Sequence, residues 1–148
     1  MKKSYKLEYR LNDERNGYPA LYHYEFADPY EIYCRRLCDF FIKGKKVYQK
    51  TSSSLEEEYY VIYVEEDTDE YVFDQADRYS HVTLEVRDFK EFSESPLIFT
   101  YDLYSHEEAL SLLGNDYLWI QNEEYEKISA EIDEDRSTYV LYMSKTSL

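Results

Sequence analysis

Carboxylates are the most abundant reactive side chains in this chain. It holds 32 Asp and Glu against 17 Lys and Arg, for a formal charge of -15 over 148 residues. The densest run, Glu65-Glu66-Asp67-Thr68-Asp69-Glu70, carries the oxygen ligands that a divalent cation takes. It lacks the glycine and the spacing of an EF-hand loop, so no metal site is assigned to it and it reads as a solvated connector. A second acidic stretch begins at Glu123, Glu124 and Glu126 and continues to Asp135. Paired carboxylates also perform general acid–base chemistry, but that work needs convergent partners. The three histidines, His23, His81 and His106, are scattered, and each is expected to be structural or exposed rather than catalytic. Cys34 and Cys38 lie four apart, one turn of a helix, where a disulfide has poor geometry. With no further Cys or His nearby they read as reduced, buried thiols in place of a zinc site, and two reduced thiols point to the cytoplasm.

No nucleophile-elbow motif, phosphate-cradling glycine loop or H-E-x-x-H pair is present. Glycine occurs only at 17, 44 and 114, so mononucleotide and dinucleotide fingerprints are excluded, and no cofactor is expected. The charge opposes nucleic-acid backbones and anionic membrane surfaces and favours a basic protein partner. No apolar run approaches the ~20 residues of a membrane span. The N-terminal Met1-Lys2-Lys3-Ser4-Tyr5-Lys6 has no apolar segment behind it, so no signal peptide is expected. At 43% hydrophobic and 18% aromatic residues, including 19 tyrosines, the chain has ample core formers for a folded domain.

The elements that must position these groups emerge when the chain is compared with itself. A shift of 77 residues aligns positions 1–57 without a gap, with 12 identities where chance gives roughly 4 or 5. Leu7-Glu8-x-Arg10 meets Leu84-Glu85-x-Arg87, Tyr24 meets Tyr101, Glu31 meets Glu108, and Tyr48-x-Lys50-x-Ser52 meets Tyr125-x-Lys127-x-Ser129. After a two-residue insertion Tyr60-Val61-Ile62-Tyr63-Val64 meets Tyr139-Val140-Leu141-Tyr142-Met143. The expected organisation is a first repeat at 1–65, an acidic connector at 66–77 and a second repeat at 78–148.

Within one repeat, Tyr5, Leu7, Tyr9 and Leu11 alternate with polar residues as a half-buried strand does, and Leu21 to Phe26 returns as its hairpin partner. Asp28-Pro29-Tyr30-Glu31 is a helix start, with an N-cap, Pro at N1 and Glu at N3 reaching back. Ser105-His106-Glu107-Glu108 repeats it. Helical spacing puts Tyr30, Tyr33, Cys34, Leu37, Cys38, Phe40 and Phe41 on the apolar face, with Glu31, Arg35, Arg36, Asp39 and Lys43 opposite. Phe40 to Lys43 reads either as the last helical turn or as a short strand, the form that Tyr117 to Ile120 takes. Strands are expected from Val47 to Ser53 and from Tyr59 to Glu65, and again at 125–132, where Ile128, Ala130 and Ile132 alternate, and at 138–143. The expected fold is therefore α+β. It is a tandem duplication of a ββαββ unit, with antiparallel sheets each carrying one helix, packed as an internal pseudo-dimer. Either half alone is expected to be poorly folded.

This pattern leads to a non-enzymatic acidic interaction module. It would bind, and thereby inhibit, a basic or nucleic-acid-binding protein, with a composition like that of immunity proteins and nucleic-acid mimics. Its expected docking residues are Glu65, Glu66, Asp67, Asp69, Glu70, Glu123, Glu124 and Glu126, with Tyr59 and Tyr139 as aromatic anchors. The alternative is a small-molecule binder or enzyme with its site at the junction of the repeats, near His23, Tyr24, Tyr101 and Asp102.

Overall fold

The computed structural model describes residues 4–69, 77–91 and 93–147. Strand β1 (Tyr5–Leu11) turns through a 3-10 segment at Glu14–Asn16 into β2 (Ala20–Phe26). Helix α1 (Pro29–Leu37) follows, then β3 (Phe40–Lys43), β4 (Lys46–Glu56) and β5 (Tyr59–Glu66). The second stretch has β6 (Thr83–Asp88), β7 (Leu97–Asp102), α2 (His106–Leu113), β8 (Tyr117–Ile120), β9 (Glu123–Asp133) and β10 (Thr138–Lys145). Phe40–Lys43 is thus a strand. Cys38 leaves the helix in extended conformation, and Phe41 and Ile42 pair with Tyr48 and Val47. The hairpin closes through Gly44 and Lys45, both at positive φ, the two-residue turn whose twist matches the flanking strands. Gln121 and Asn122 make the corresponding turn between β8 and β9.

The ten strands among the described residues belong to one mixed sheet, in the order β2-β1-β5-β4-β3-β9-β10-β6-β7, with β8 also on β9. This corrects the expectation of separate antiparallel sheets. β1 runs parallel to β5, β6 parallel to β10, and β3 parallel to β9, and the last pairing fuses the two stretches edge to edge. Parallel neighbours are joined by long crossovers, which leave no turn signature between them in the sequence. β10 lines β9 along one edge, so β3, opposite Glu131 to Asp133, and β8, opposite Glu123 to Glu126, share the other.

Both stretches have the same neighbour order, β2-β1-β5-β4-β3 and β7-β6-β10-β9-β8. Their irregularities recur at the same spacing. The register skips Leu21 in one and Ile98 in the other, and again Thr51 and Ile128. Lys50 Nζ donates to the Arg36 carbonyl, and Lys127 Nζ to the Leu113 carbonyl.

The core lies between one face of the sheet and the two helices, which also touch each other. The sheet contributes Leu7, Tyr9, Ile62, Leu84, Val86, Tyr139 and Leu141, and the helices contribute Ile32, Cys34, Ala109 and Leu113. The buried face of α1 is Ile32, Cys34 and Arg35, while Leu37 is exposed. Helical spacing had placed Arg35 outside. Packing against α2 and the second stretch rotates the buried stripe toward it. The caps form, with Asp28 accepting from the Tyr30 amide (2.9 Å) and Ser105 from the Glu108 amide (3.3 Å). Glu108 reaches back to the Tyr104 amide, but Glu31 does not reach back and pairs with Arg35 instead.

Candidate functional site

Two places concentrate chemistry, a cleft at the junction and an exposed face on β8 and β9. The cleft, of about 530 Å³, is lined from one side by Tyr24, Phe26, Glu31 and Arg35 and from the other by residues 79–83, His106, Ile132, Glu134 and 137–139. Arg35 is its centre. Only 4% exposed, it donates to the Tyr9 hydroxyl (3.3 Å), to Glu31 (3.2 Å) and across the junction to Glu134 (3.1 Å). Its Cζ lies 4.9 Å from the Tyr24 ring centroid and 5.4 Å from that of Phe26, a cation–π setting that helps to hold a buried charge. Glu134 also binds Lys43 Nζ (2.6 Å), which donates to the Tyr24 hydroxyl (3.0 Å).

Burial alone would raise the Glu134 carboxyl. Its hydrogen bonds to Lys43 and Tyr24, with the Arg35 charge, overcome that and hold it below the usual range. The Tyr24 hydroxyl moves the other way, raised by burial and by Glu134. His106 is held at both ring nitrogens, with Nε2 3.3 Å from Glu31 and Nδ1 2.8 Å from the Tyr139 hydroxyl. From the start of α2 the ring thus bridges α1, through Glu31, and β10, through Tyr139. His81 pairs with Asp102 (2.6 Å), both exposed.

The junction residues expected from sequence divide. Tyr24 lines the cleft, and Asp102 reaches its rim through His81. His23 instead pairs with Glu8 (3.5 Å), and Tyr101 packs on Phe99 (4.8 Å between ring centroids). Arg35, Glu31, Glu134 and His106 were not read as convergent. The Glu31–Arg35 spacing was visible in the sequence, but their partner lies 99 residues beyond Arg35.

The expected docking residues do not form one patch. Glu65 and Glu66 end β5 opposite Gln49 and Tyr48, beside the turn where β3 meets the end of β9. Glu123, Glu124 and Glu126 begin β9, so roughly 23 to 33 Å of strand separates them from the end of β9 beside the first group. Glu65 accepts from Asn12 (3.3 Å), Glu66 lies 4.0 Å from Lys46, and Asp67 accepts from the Asp69 amide (3.0 Å). Glu70 lies outside the described residues. Tyr59 is half-buried against His23, and Tyr139 is 2% exposed, a core residue.

The β9 group has other company. Inward-facing Leu118 and Ile120 leave Tyr117 and Trp119 on the outer face, 52% and 69% exposed, directly opposite Glu126 and Glu124. Ile128, 48% exposed, joins them, because it is the bulged residue of β9 and so leaves the inward alternation of Ala130 and Ile132. β8 pairs with no described strand on its other edge. Glu123 lies 3.7 Å from Lys145, and Glu124 accepts from Thr146 Oγ1 (2.8 Å).

Among the described residues, no helix is long and apolar enough to cross a membrane, and no three His, Cys, Asp or Glu side chains are placed to share a metal ion. Comparison with protein-family models, curated proteins and solved structures finds no match.

Proposed function

We propose that this chain is a non-enzymatic acidic interaction module that docks a basic protein through the outer face of β8 and β9. The observation that carries the proposal is the exposed pair Tyr117 and Trp119 set directly against Glu126 and Glu124. Large aromatics anchor interfaces, and carboxylates around them select a cationic partner and speed its encounter. The net charge of -15 adds a long-range field of the same sign. A short edge strand with one free side also leaves backbone groups that a partner strand can pair with.

The module is built, on this proposal, as a tandem duplication of a ββαββ unit with an added short strand after the helix, the two copies forming an internal pseudo-dimer. The 77-residue identities, the common strand order and the four matched register skips support that origin. Equivalent positions then differ in use: where β8 presents Tyr117 and Trp119, β3 is enclosed between β4 and β9. The docking face belongs to the second copy alone.

The test is affinity capture from the native host with the wild-type chain and with Trp119→Ala and Glu124→Gln/Glu126→Gln. A basic partner is expected, bound less tightly as salt rises, with Trp119→Ala weakening it by more than about 2 kcal/mol. A partner whose binding ignores salt and survives both variants refutes the assignment.

A further inference from the structure

Matching strands of the two stretches differ at one edge. β3 lies on β4 in the register that β8 keeps on β9: Phe40 faces Gln49 and Ile42 faces Val47, as, 77 residues on, Tyr117 faces Glu126 and Trp119 faces Glu124. The other edge of β3 is occupied, because Glu131 to Asp133 of β9 run parallel to it, opposite Phe40 to Ile42. Three bonds fix that pairing. The Asp39 amide donates to the Ala130 carbonyl (2.8 Å), the Ala130 amide to the Asp39 carboxylate (2.9 Å), and the Glu134 amide to the Ile42 carbonyl (2.9 Å).

The corresponding edge of β8 is open. Asp116 stands where Asp39 does, and its carbonyl accepts from the Lys127 amide (2.7 Å) as that of Asp39 accepts from Lys50 (2.8 Å). The Asp116 amide and carboxylate, however, have no hydrogen-bond partner among the described residues. Ser54 to Glu56 of β4, which correspond to 131–133, do not pair with β8. Ile42 is fully buried, whereas Trp119 at the matching position is 69% exposed.

The occupied edge of β3 shows what fits the open one: an extended parallel segment with an apolar residue in the place of Ala130, its amide on the Asp116 carboxylate. Charge sets the rest of its character. Side chains that face outward from such a segment stand beside Tyr117 and Trp119, with Glu124 and Glu126 beyond them, a setting for Lys or Arg. The chain already places cations over tyrosine rings, Lys43 over Tyr22 (4.7 Å) and Arg36 over Tyr33 (5.3 Å). Side chains that face inward extend the apolar row of Leu118 and Ile120.

Resting on the β8–β9 docking face, we propose that β8 takes a basic segment of the partner as an added parallel strand. The segment alternates cationic and apolar residues, and the Asp116 carboxylate clamps one of its backbone amides. The sheet grows by one strand here as β9 extends it beyond β3.

Trp119 is the single tryptophan of the chain, so its fluorescence reads the site directly. The probe is a blocked heptapeptide of alternating Lys and Val, titrated into the full-length chain. A saturable change in emission is expected below about 1 mM, weaker as salt rises and absent with a Glu–Val peptide. N-methylation of the Val amides, which face β8 as those of Ala130 and Glu134 face β3, is expected to abolish binding, and N-methylation of the Lys amides to preserve it. Asp116→Ala is expected to weaken binding about tenfold at an unchanged melting temperature, with Asp116→Asn, which keeps an acceptor, in between. No change up to about 1 mM, equal binding of the Val-methylated peptide, or equal binding by Asp116→Ala overturns strand addition. A captured basic protein that needs Trp119 and Glu124, yet ignores Asp116→Ala and is not displaced by the peptide, leaves the docking face standing and overturns the added strand alone.

Discussion

Glu85 is a buried, ionised carboxylate at the heart of the second stretch. It is 1% exposed, and its two oxygens accept four hydrogen bonds. Oε1 takes Arg87 Nε and Arg136 Nη2, both at 2.9 Å, and Oε2 takes Arg136 Nη1 at 2.9 Å and the Tyr79 hydroxyl at 2.8 Å. Burial works against the carboxylate, but the hydrogen bonds from Arg136 and Arg87, with the Arg136 charge, bring its pKa down from 4.5 to about 2. A group whose pKa is depressed by folding stabilises the fold above its unfolded value, and that stabilisation is lost as pH falls through the folded one. The shift corresponds to about 3 kcal/mol, fully present at neutral pH, falling from about pH 4.5 and gone below about pH 2. Asp133, which shares Arg136, has its pKa raised by burial against the pull of that arginine, so its slope runs the opposite way. Comparing wild type with Glu85→Gln isolates Glu85, because Asp133 and the chain's general acidity are common to both. Urea unfolding at pH 7 should find the Gln variant less stable by about 3 kcal/mol, with the gap closing between pH 4.5 and 2. A variant equal to wild type at pH 7, or a gap that stays constant into acid, would show that the buried carboxylate is not held as described.

Two further outcomes follow from the same geometry. Asp135 accepts from the amides of Gly44 and Lys45, both at 2.8 Å, tying the β3–β4 turn to the other stretch; Asp135→Ala should cost about 1–2 kcal/mol in urea unfolding, with Asp135→Asn intermediate. Burial pushes the Cys34 thiol up to about 12 and Cys38 well above its ordinary value, so a disulfide reagent at pH 8 should label neither thiol in the native chain and both after denaturation. Fast labelling of the native chain would contradict the burial of α1.

Much of the local architecture was legible in the residues themselves. Alternation at Tyr5, Leu7, Tyr9 and Leu11 and the caps at Asp28 and Ser105 act over a few neighbouring positions, so their signals survive in a linear reading. The 77-residue self-similarity likewise anticipated two stretches with the same order of elements. The acidity, the tyrosine content and the free thiols are equally properties of composition.

Tertiary contacts decided the rest. That β3 lies parallel to β9 depends on backbone groups some 90 residues apart, and no local pattern encodes a parallel neighbour. Arg35 reads as a solvent residue by helical spacing, and it is buried because Glu134, 99 residues further on, pairs with it and the rings of Tyr24, Phe26 and Phe41 on the strands flanking α1 cover it. Ile128 reads as core by alternation, yet one bulged position turns it outward onto the face that carries Glu126, since a strand that gains a residue reverses the face of its side chain. Sequence alone determined most of the segments that become strands and helices, because those preferences are local; at Phe40 to Lys43 it left helix and strand open, and pairing with β4 and β9 decided for strand. Which charges meet in the cleft and which aromatics face solvent was left to the packing, because each depends on a partner that only the folded chain brings near.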